Sequence, residues 1–139
     1  MVGYTIDQLK VGQRARFSKT VSETDVYLFA GISGDFNPAH INQAYAEQTA
    51  FKSRIAHGML SAGFISTVLG TQLPGPGAIY ISQSLTFLAP VAIGDTITAT
   101  AEVVEILTEK KRVRLKTYCT NQEGKEVLTG EALVSPPRV

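Results

Sequence analysis

Polar and apolar positions alternate through residues 14–20, the period of a half-buried strand, and predict a first strand there. The residues before it, through Val11-Gly12-Gln13, read as a loosely ordered lead-in. Ser22 precedes Glu23 and Asp25, and Val26, Leu28, Phe29 and Ile32 follow at helical spacing. That pattern predicts an N-capped helix over about residues 23–32, closed by Gly34. A short polar helix is expected near residues 43–48. Residues 58–70 differ in character. Met59, Leu60, Ala62, Phe64, Ile65, Val68 and Leu69 cover nearly every helical face, leaving Ser61, Ser66 and Thr67 as the polar members. A helix so apolar must be buried on most sides. A Pro-Gly-Pro-Gly run at 74–77 then breaks the chain. Four strand-like stretches follow at 78–87, 95–107, 112–120 and 125–134, with turns at 108–110 and 121–124. One strand, helical material, a buried helix and four antiparallel strands predict an α+β fold, a five-stranded sheet wrapped around a central helix. No composition shift or repeat divides residues 1–139, so one domain is expected.

Composition narrows the function. With 139 residues, 44% hydrophobic and 18% charged, the chain has apolar mass for one core. A formal charge of +1 gives no bulk electrostatic signal for nucleic acid or an anionic membrane. The one dense basic run, Lys110-Lys111-Arg112, reads as a solvated hairpin end. The single cysteine, Cys119, excludes an intrachain disulfide and a cysteine metal cage, and its alternating context predicts a small buried residue. With no signal-like segment at the N-terminus and no long apolar run, a soluble cytoplasmic protein is expected. Two histidines without His-Glu or Cys spacing do not support a metal site. There is no Gly-x-Ser-x-Gly elbow, and Gly75-Pro-Gly is too proline-bound for a nucleotide loop.

The segment Gly34-Asp-Phe-Asn-Pro-Ala-His40 sets a carboxylate, a carboxamide and an imidazole around one proline. Gly34 can take positive φ, and Pro38 forbids a helix running through Asn37, so a short irregular loop is expected. Asp35 and His40 at its ends can then point at one water, the arrangement of general acid–base chemistry. Alone, the segment reads first as an Asx turn followed by a surface histidine, and only the rest of the chain favours the catalytic reading. Gly58 falls at the expected N-terminus of the buried helix, where amides lack intrahelical partners. Without a side chain it lets a ligand oxygen approach, and the helix dipole favours negative charge, so it is a candidate oxyanion donor. The alternative is a glycine that permits tight packing. Ser61 and Thr67 carry no expected role.

Ile32-Ser-Gly-Asp-Phe-Asn-Pro-Ala-His40, Ala46, Ala56-His-Gly-Met59, Phe87-Leu-Ala-Pro-Val91 and Gly94-Asp95 together resemble the MaoC-like, or hydratase-2, family. The chain is similar to its small single-domain bacterial (R)-specific enoyl-CoA hydratases, from the first helix to the last strand. The resemblance implies a hot-dog fold and addition of water to a trans-2-enoyl-CoA, giving the (R)-3-hydroxyacyl-CoA. Asp35 and His40 match the catalytic pair, with the formal base left open between them. Asn37 would orient the loop or touch the acyl-CoA, and His57 would make a hydrogen bond at the start of the helix. Ser66 resembles a serine that supports the catalytic loop, and reads equally as a core hydroxyl bonded to the preceding turn. Leu69 is the acyl-pocket residue expected on the buried helix. Phe87, Leu88 and Pro90 would shape the thioester channel or a subunit contact. No cofactor is implied beyond the coenzyme A that the substrate carries, and a homodimer joined sheet edge to sheet edge is expected. The alternatives are an (R)-3-hydroxyacyl dehydratase acting on acyl carrier protein, a hot-dog acyl-CoA thioesterase, and a non-catalytic acyl-CoA-binding subunit. Polyester precursor supply and fatty-acid degradation both fit as pathways.

Overall fold

The computed structural model of the chain describes residues 2–138. Its first strand, β1 (Arg14–Thr20), leads into α1 (Glu23–Ser33), two single turns α2 (Pro38–Ile41) and α3 (Gln43–Ala46), and α4 (Gly58–Thr71). Strands β2 (Ile79–Gln83), β3 (Thr86–Phe87), β4 (Thr96–Leu107), β5 (Arg112–Thr120) and β6 (Glu126–Ser135) complete the chain. The antiparallel sheet runs β1-β4-β5-β6-β2, with the two-residue β3 also on β6. Alternation decides which face is inward. Ile97, Ala99, Ala101 and Val103 of β4, and Val113, Leu115, Thr117 and Cys119 of β5, are wholly buried. The two alanines leave room for α4, which packs against β1, β2, β4, β5 and β6. Bulges between Val103 and Glu105 and between Cys119 and Thr120 add local twist, helping the sheet curl round the helix. This is the α+β hot-dog arrangement.

Helix α1 starts at a reciprocal cap. The Asp25 amide donates to Ser22 Oγ, and the Ser22 amide to the Asp25 carboxylate, each at 3.0 Å. It ends at Gly34, whose φ of 82° is left-handed. Only Val26 and Ala30 of this helix are fully buried; Leu28 is 59% and Ile32 83% exposed. The apolar spacing that identifies the helix therefore serves two faces. Helix α4 buries Ser61, Ala62, Phe64, Ile65, Val68 and Leu69, while Gly63, Ser66 and Gly70 leave an outer strip exposed.

Three regions depart from expectation. The lead-in is tied down: Ile6–Gln8 form a 3-10 turn, and the amides of Gly3 and Tyr4 donate to the carbonyls of Pro76 and Pro74. Residues 38–41 are helical rather than irregular, because Pro38 occupies the first helical position, where its fixed φ suits a helix. The stretch 78–87 divides into β2 and β3, which makes six strands where five were expected, five of them on the main path. Gly130 of β6 permits the break, since a Cβ there would run into the Ser84 carbonyl. Among the described residues, no helix is long and apolar enough to cross a membrane.

Candidate active site

The loop leaving α1 is built from side chains bonded to backbone two residues on. Ser33 Oγ donates to the Phe29 carbonyl at 2.7 Å and accepts from the Asp35 amide at 3.2 Å. Asp35 Oδ1 accepts from the Asn37 amide, and Asn37 Oδ1 from the Ala39 amide, capping α2. Asn37 thus holds the loop and does not reach into the cleft described below.

Helix α2 presents His40, whose Nδ1 lies 2.7 Å from the Ile55 carbonyl. A carbonyl only accepts, so Nδ1 carries the proton and Nε2 keeps a lone pair when the ring is neutral. The same Ile55 donates its amide to the Ala39 carbonyl. Arg54, its neighbour, clamps the segment through Glu23 at 2.6 Å, Tyr27 at 2.5 Å and Gln43 at 3.1 Å. The Glu23 carboxylate, hydrogen-bonded to that guanidinium, holds its pKa above the usual value.

His57 is the N-cap of α4 and 2% exposed. Its Nε2 donates to the Asp35 carbonyl at 2.9 Å, while its Nδ1 is buried with no partner. Its ring lies 3.9 Å from that of His40 between centroids, and 4.8 Å from Phe29. His57 therefore bonds the loop backbone as well as starting the helix. A carboxylate oxygen of Asp35 and one nitrogen of each histidine lie within 4.8 Å of one another. That span suits one water accepting and donating hydrogen bonds of ordinary length.

A cleft of about 450 Å³ opens beside His40. The start of α4 contributes Gly58, Met59 and Ser61, and the segment 87–91 forms the facing wall. Asp35, exposed, stands outside that lining. A Cβ on Gly58 would lie 2.5 Å from Phe87 Cε1, so the missing side chain admits the Phe87 ring over the helix start. The packing reason for this glycine thus holds, and Gly58 also lines the cleft.

Two residues expected near the chemistry lie elsewhere. Leu69, 2% exposed, sits about three turns beyond Gly58 along α4 in the core and lines no part of the cleft. Ser66 is exposed and faces a second groove with Phe29, Tyr80 and Ile81. It follows Ser61 by five residues, about 140° round a helix of 3.6 residues per turn. Gly94 and Asp95 are structural: the Asp95 carboxylate accepts from the Ala92 amide and from Gln122. Sequence reasoning gave no role to Ser61, which the structure puts in the cleft; three-residue spacing from Gly58 on one helix was the available signal.

A family model described as MaoC like domain matches residues 7–126. An (R)-specific enoyl-CoA hydratase of Rhodospirillum rubrum is 59% identical over 137 residues, covering 99% of this chain and 94% of that protein. A 3-hydroxybutyryl-CoA dehydratase of Methylorubrum extorquens is 51% identical, covering 95% of this chain and 83% of that protein. The solved structure of an unliganded R-hydratase from Pseudomonas aeruginosa superposes with a TM-score of 0.94 at 47% identity, covering 99% of this chain and 88% of that one.

Proposed function

From the premise that the chain belongs to the MaoC-like family, we propose that it is a hydro-lyase adding water to trans-2-enoyl-CoA to give the (R)-3-hydroxyacyl-CoA. The observation that carries this reading is the tether of His40 Nδ1 to the Ile55 carbonyl, close to the Asp35 carboxylate and beside an apolar cleft. With Nδ1 fixed as donor, only Nε2 is left for proton exchange with a ligand. The Asp35 carboxylate can only accept. Together they hold one water, deliver its oxygen to C3 and return a proton to C2. The charge that builds at C2 delocalises onto the thioester oxygen, where the Gly58 amide and the dipole of α4 stabilise it. The pair supplies the proton transfers and the helix the electrostatics, so the reaction needs no cofactor. A CoA thioester substrate fits a cytoplasmic enzyme.

A second copy of the chain completes the assembly. The free edge β2 exposes Ile79, Tyr80 and Ile81 at 65%, 40% and 40%. Met59 lines both the catalytic cleft and the groove beside that edge, so a partner on β2 borders the site. A homodimer paired through β2 fits this surface.

The test is the loss of enoyl absorbance with crotonyl-CoA, together with chiral analysis of the 3-hydroxyacyl product. Release of free thiol without hydration would make the protein a thioesterase. The (S) product, or no turnover, would reject the reading.

A further inference from the structure

Ser61 is the buried polar group in the cleft that the reaction just described leaves unused. The residue is 2% exposed, and its Oγ has no hydrogen-bond partner. A helix serine commonly returns its hydroxyl to the carbonyl four residues back, here that of His57. That carbonyl instead accepts the Leu60 amide at 3.0 Å. The Ser61 carbonyl accepts from Cys119 Sγ at 3.6 Å, which fixes the Ser61 backbone against β5. The hydroxyl is left as a donor with nothing to meet.

Its surroundings narrow what it serves. Beyond His40 and the backbone at Gly58, the cleft wall is largely apolar, with Phe51, Met59, Leu88 and Leu128 among its members. An acyl tail offers such a wall no polar atom. The acceptor that an enoyl thioester brings is its carbonyl oxygen. Ser61 follows Gly58 by three residues, so both lie on one face of α4, and helical side chains lean back toward the N-terminus. Serine has a single heavy-atom torsion with staggered wells, so the hydroxyl can turn to a ligand without backbone movement.

We propose that Ser61 is a second oxyanion donor, giving its hydroxyl hydrogen bond to the thioester oxygen that the Gly58 amide also holds. This rests on the hydratase reading. Two donors on one oxygen divide the developing charge, and the unsatisfied hydroxyl of the free protein is satisfied when the substrate is bound. Function and stability then oppose each other at this residue. Ser61→Ala removes a buried group without a partner, so the protein gains thermal stability. The same change removes a donor that acts in the transition state, so kcat falls on the order of 10²-fold with KM little altered.

The experiment measures kcat, KM and the unfolding midpoint of wild type, Ser61→Ala and Ser61→Cys with crotonyl-CoA. Cysteine keeps the shape and donates weakly, which guards against an alanine variant that misfolds. The absorption of hexa-2,4-dienoyl-CoA bound to each protein reports carbonyl polarisation. The expected result is a higher midpoint for Ser61→Ala, lower kcat for both variants, and a smaller red shift of the bound probe. Unchanged kcat overturns the proposal, and so does a lower kcat with an undiminished red shift, which would put the hydroxyl on the water. A wild type that hydrates crotonyl-CoA without shifting the probe overturns it too. A wild type that hydrates no enoyl-CoA instead defeats the hydratase reading itself.

Discussion

The segment 34–57 and the sheet around α4 are ordered by different forces. The sheet and helix bury Ile65, Ile97, Leu115 and Leu128 almost completely, so neighbouring residues share the burial and fail together. The segment 34–57 has few buried side chains, among them Ala46 and His57, and holds its shape by short-range hydrogen bonds from Asp35, Asn37, Asn42 and Thr49. A water-activating pair needs this second kind of order. Its carboxylate and imidazole must stay polar and reachable, yet remain within a hydrogen bond or two of each other. The two regions meet at His57, which stands at the N-cap position of α4 and donates its Nε2 hydrogen to the Asp35 carbonyl.

Substitutions should therefore separate the regions, with activity lost in one and stability in the other. The largest effect is expected at the pair. Asp35→Asn and His40→Ala should each lower kcat/KM by roughly 10²–10⁴, the usual worth of a positioned acid or base. Their unfolding midpoints should stay close to wild type, because Asp35 is exposed and His40 only half-buried. If both act on one water, the double variant should be little worse than either single. Fully additive losses in log rate would show two independent groups. Leu115→Ala is the mirror experiment. Denaturant unfolding should show a loss of about 2–5 kcal/mol for this fully buried side chain. The fraction that remains folded should turn over at the wild-type kcat. A folded Leu115→Ala with a catalytic defect would mean that the core tunes the site as well as supporting it.

Gly58 lies at the boundary and is the next largest effect. His57 has ψ of 135°, a conformation that a following proline accepts, and Gly58 is the first helical residue. Gly58→Ala and Gly58→Pro each place a Cβ against Phe87, so both must displace that ring. Only proline removes the amide hydrogen. The difference between the two variants therefore isolates the donor, and proline should lose on the order of 10²–10³ more in kcat. Equal losses in the two folded variants would make Gly58 a packing glycine alone.

The same contrast explains what the sequence could show. The ranges of β1 and β5 were legible to the residue, because alternation persists along both: β5 buries every second residue, and β1 half-buries Ala15 and Phe17 between exposed neighbours. The motif residues Asp35, His40 and His57 were legible as a group, and the fold does bring them together. Helix α2 was not, since four residues carry no period and a proline usually signals a break. The division into β2 and β3 depends on the approach of Ser84 to Gly130, a contact distant in sequence. Ser61, Ser66 and Leu69 look alike as members of an apolar helix. Their separation into cleft, outer groove and core follows from how α4 is rotated against the sheet.

The smallest effect is expected at the start of α1, where the chain leaving β1 enters the helix. Ser22→Ala removes one half of the α1 cap and should cost about 1 kcal/mol. Turnover should be unchanged, because the other end of the helix, at Gly34, sets the start of the loop that carries Asp35. Asp25 gives the same cap a pH signature. Its carboxyl is held below the ordinary value of 3.8, chiefly by its hydrogen bond to Lys19, with the Ser22 amide second. A carboxyl with a lowered folded pKa adds stability above the unfolded value and loses it as pH falls through the folded one. Asp25→Asn should therefore be less stable than wild type at neutral pH, and the gap should close as the medium is acidified below about pH 3.8. The Lys19 ammonium is 2.8 Å away but 41% exposed, so the gap should also narrow in high salt. Thermal melts of both proteins across pH and ionic strength decide it. A gap that persists in strong acid would assign the role of Asp25 to side-chain shape, and the charge would then contribute nothing to the cap.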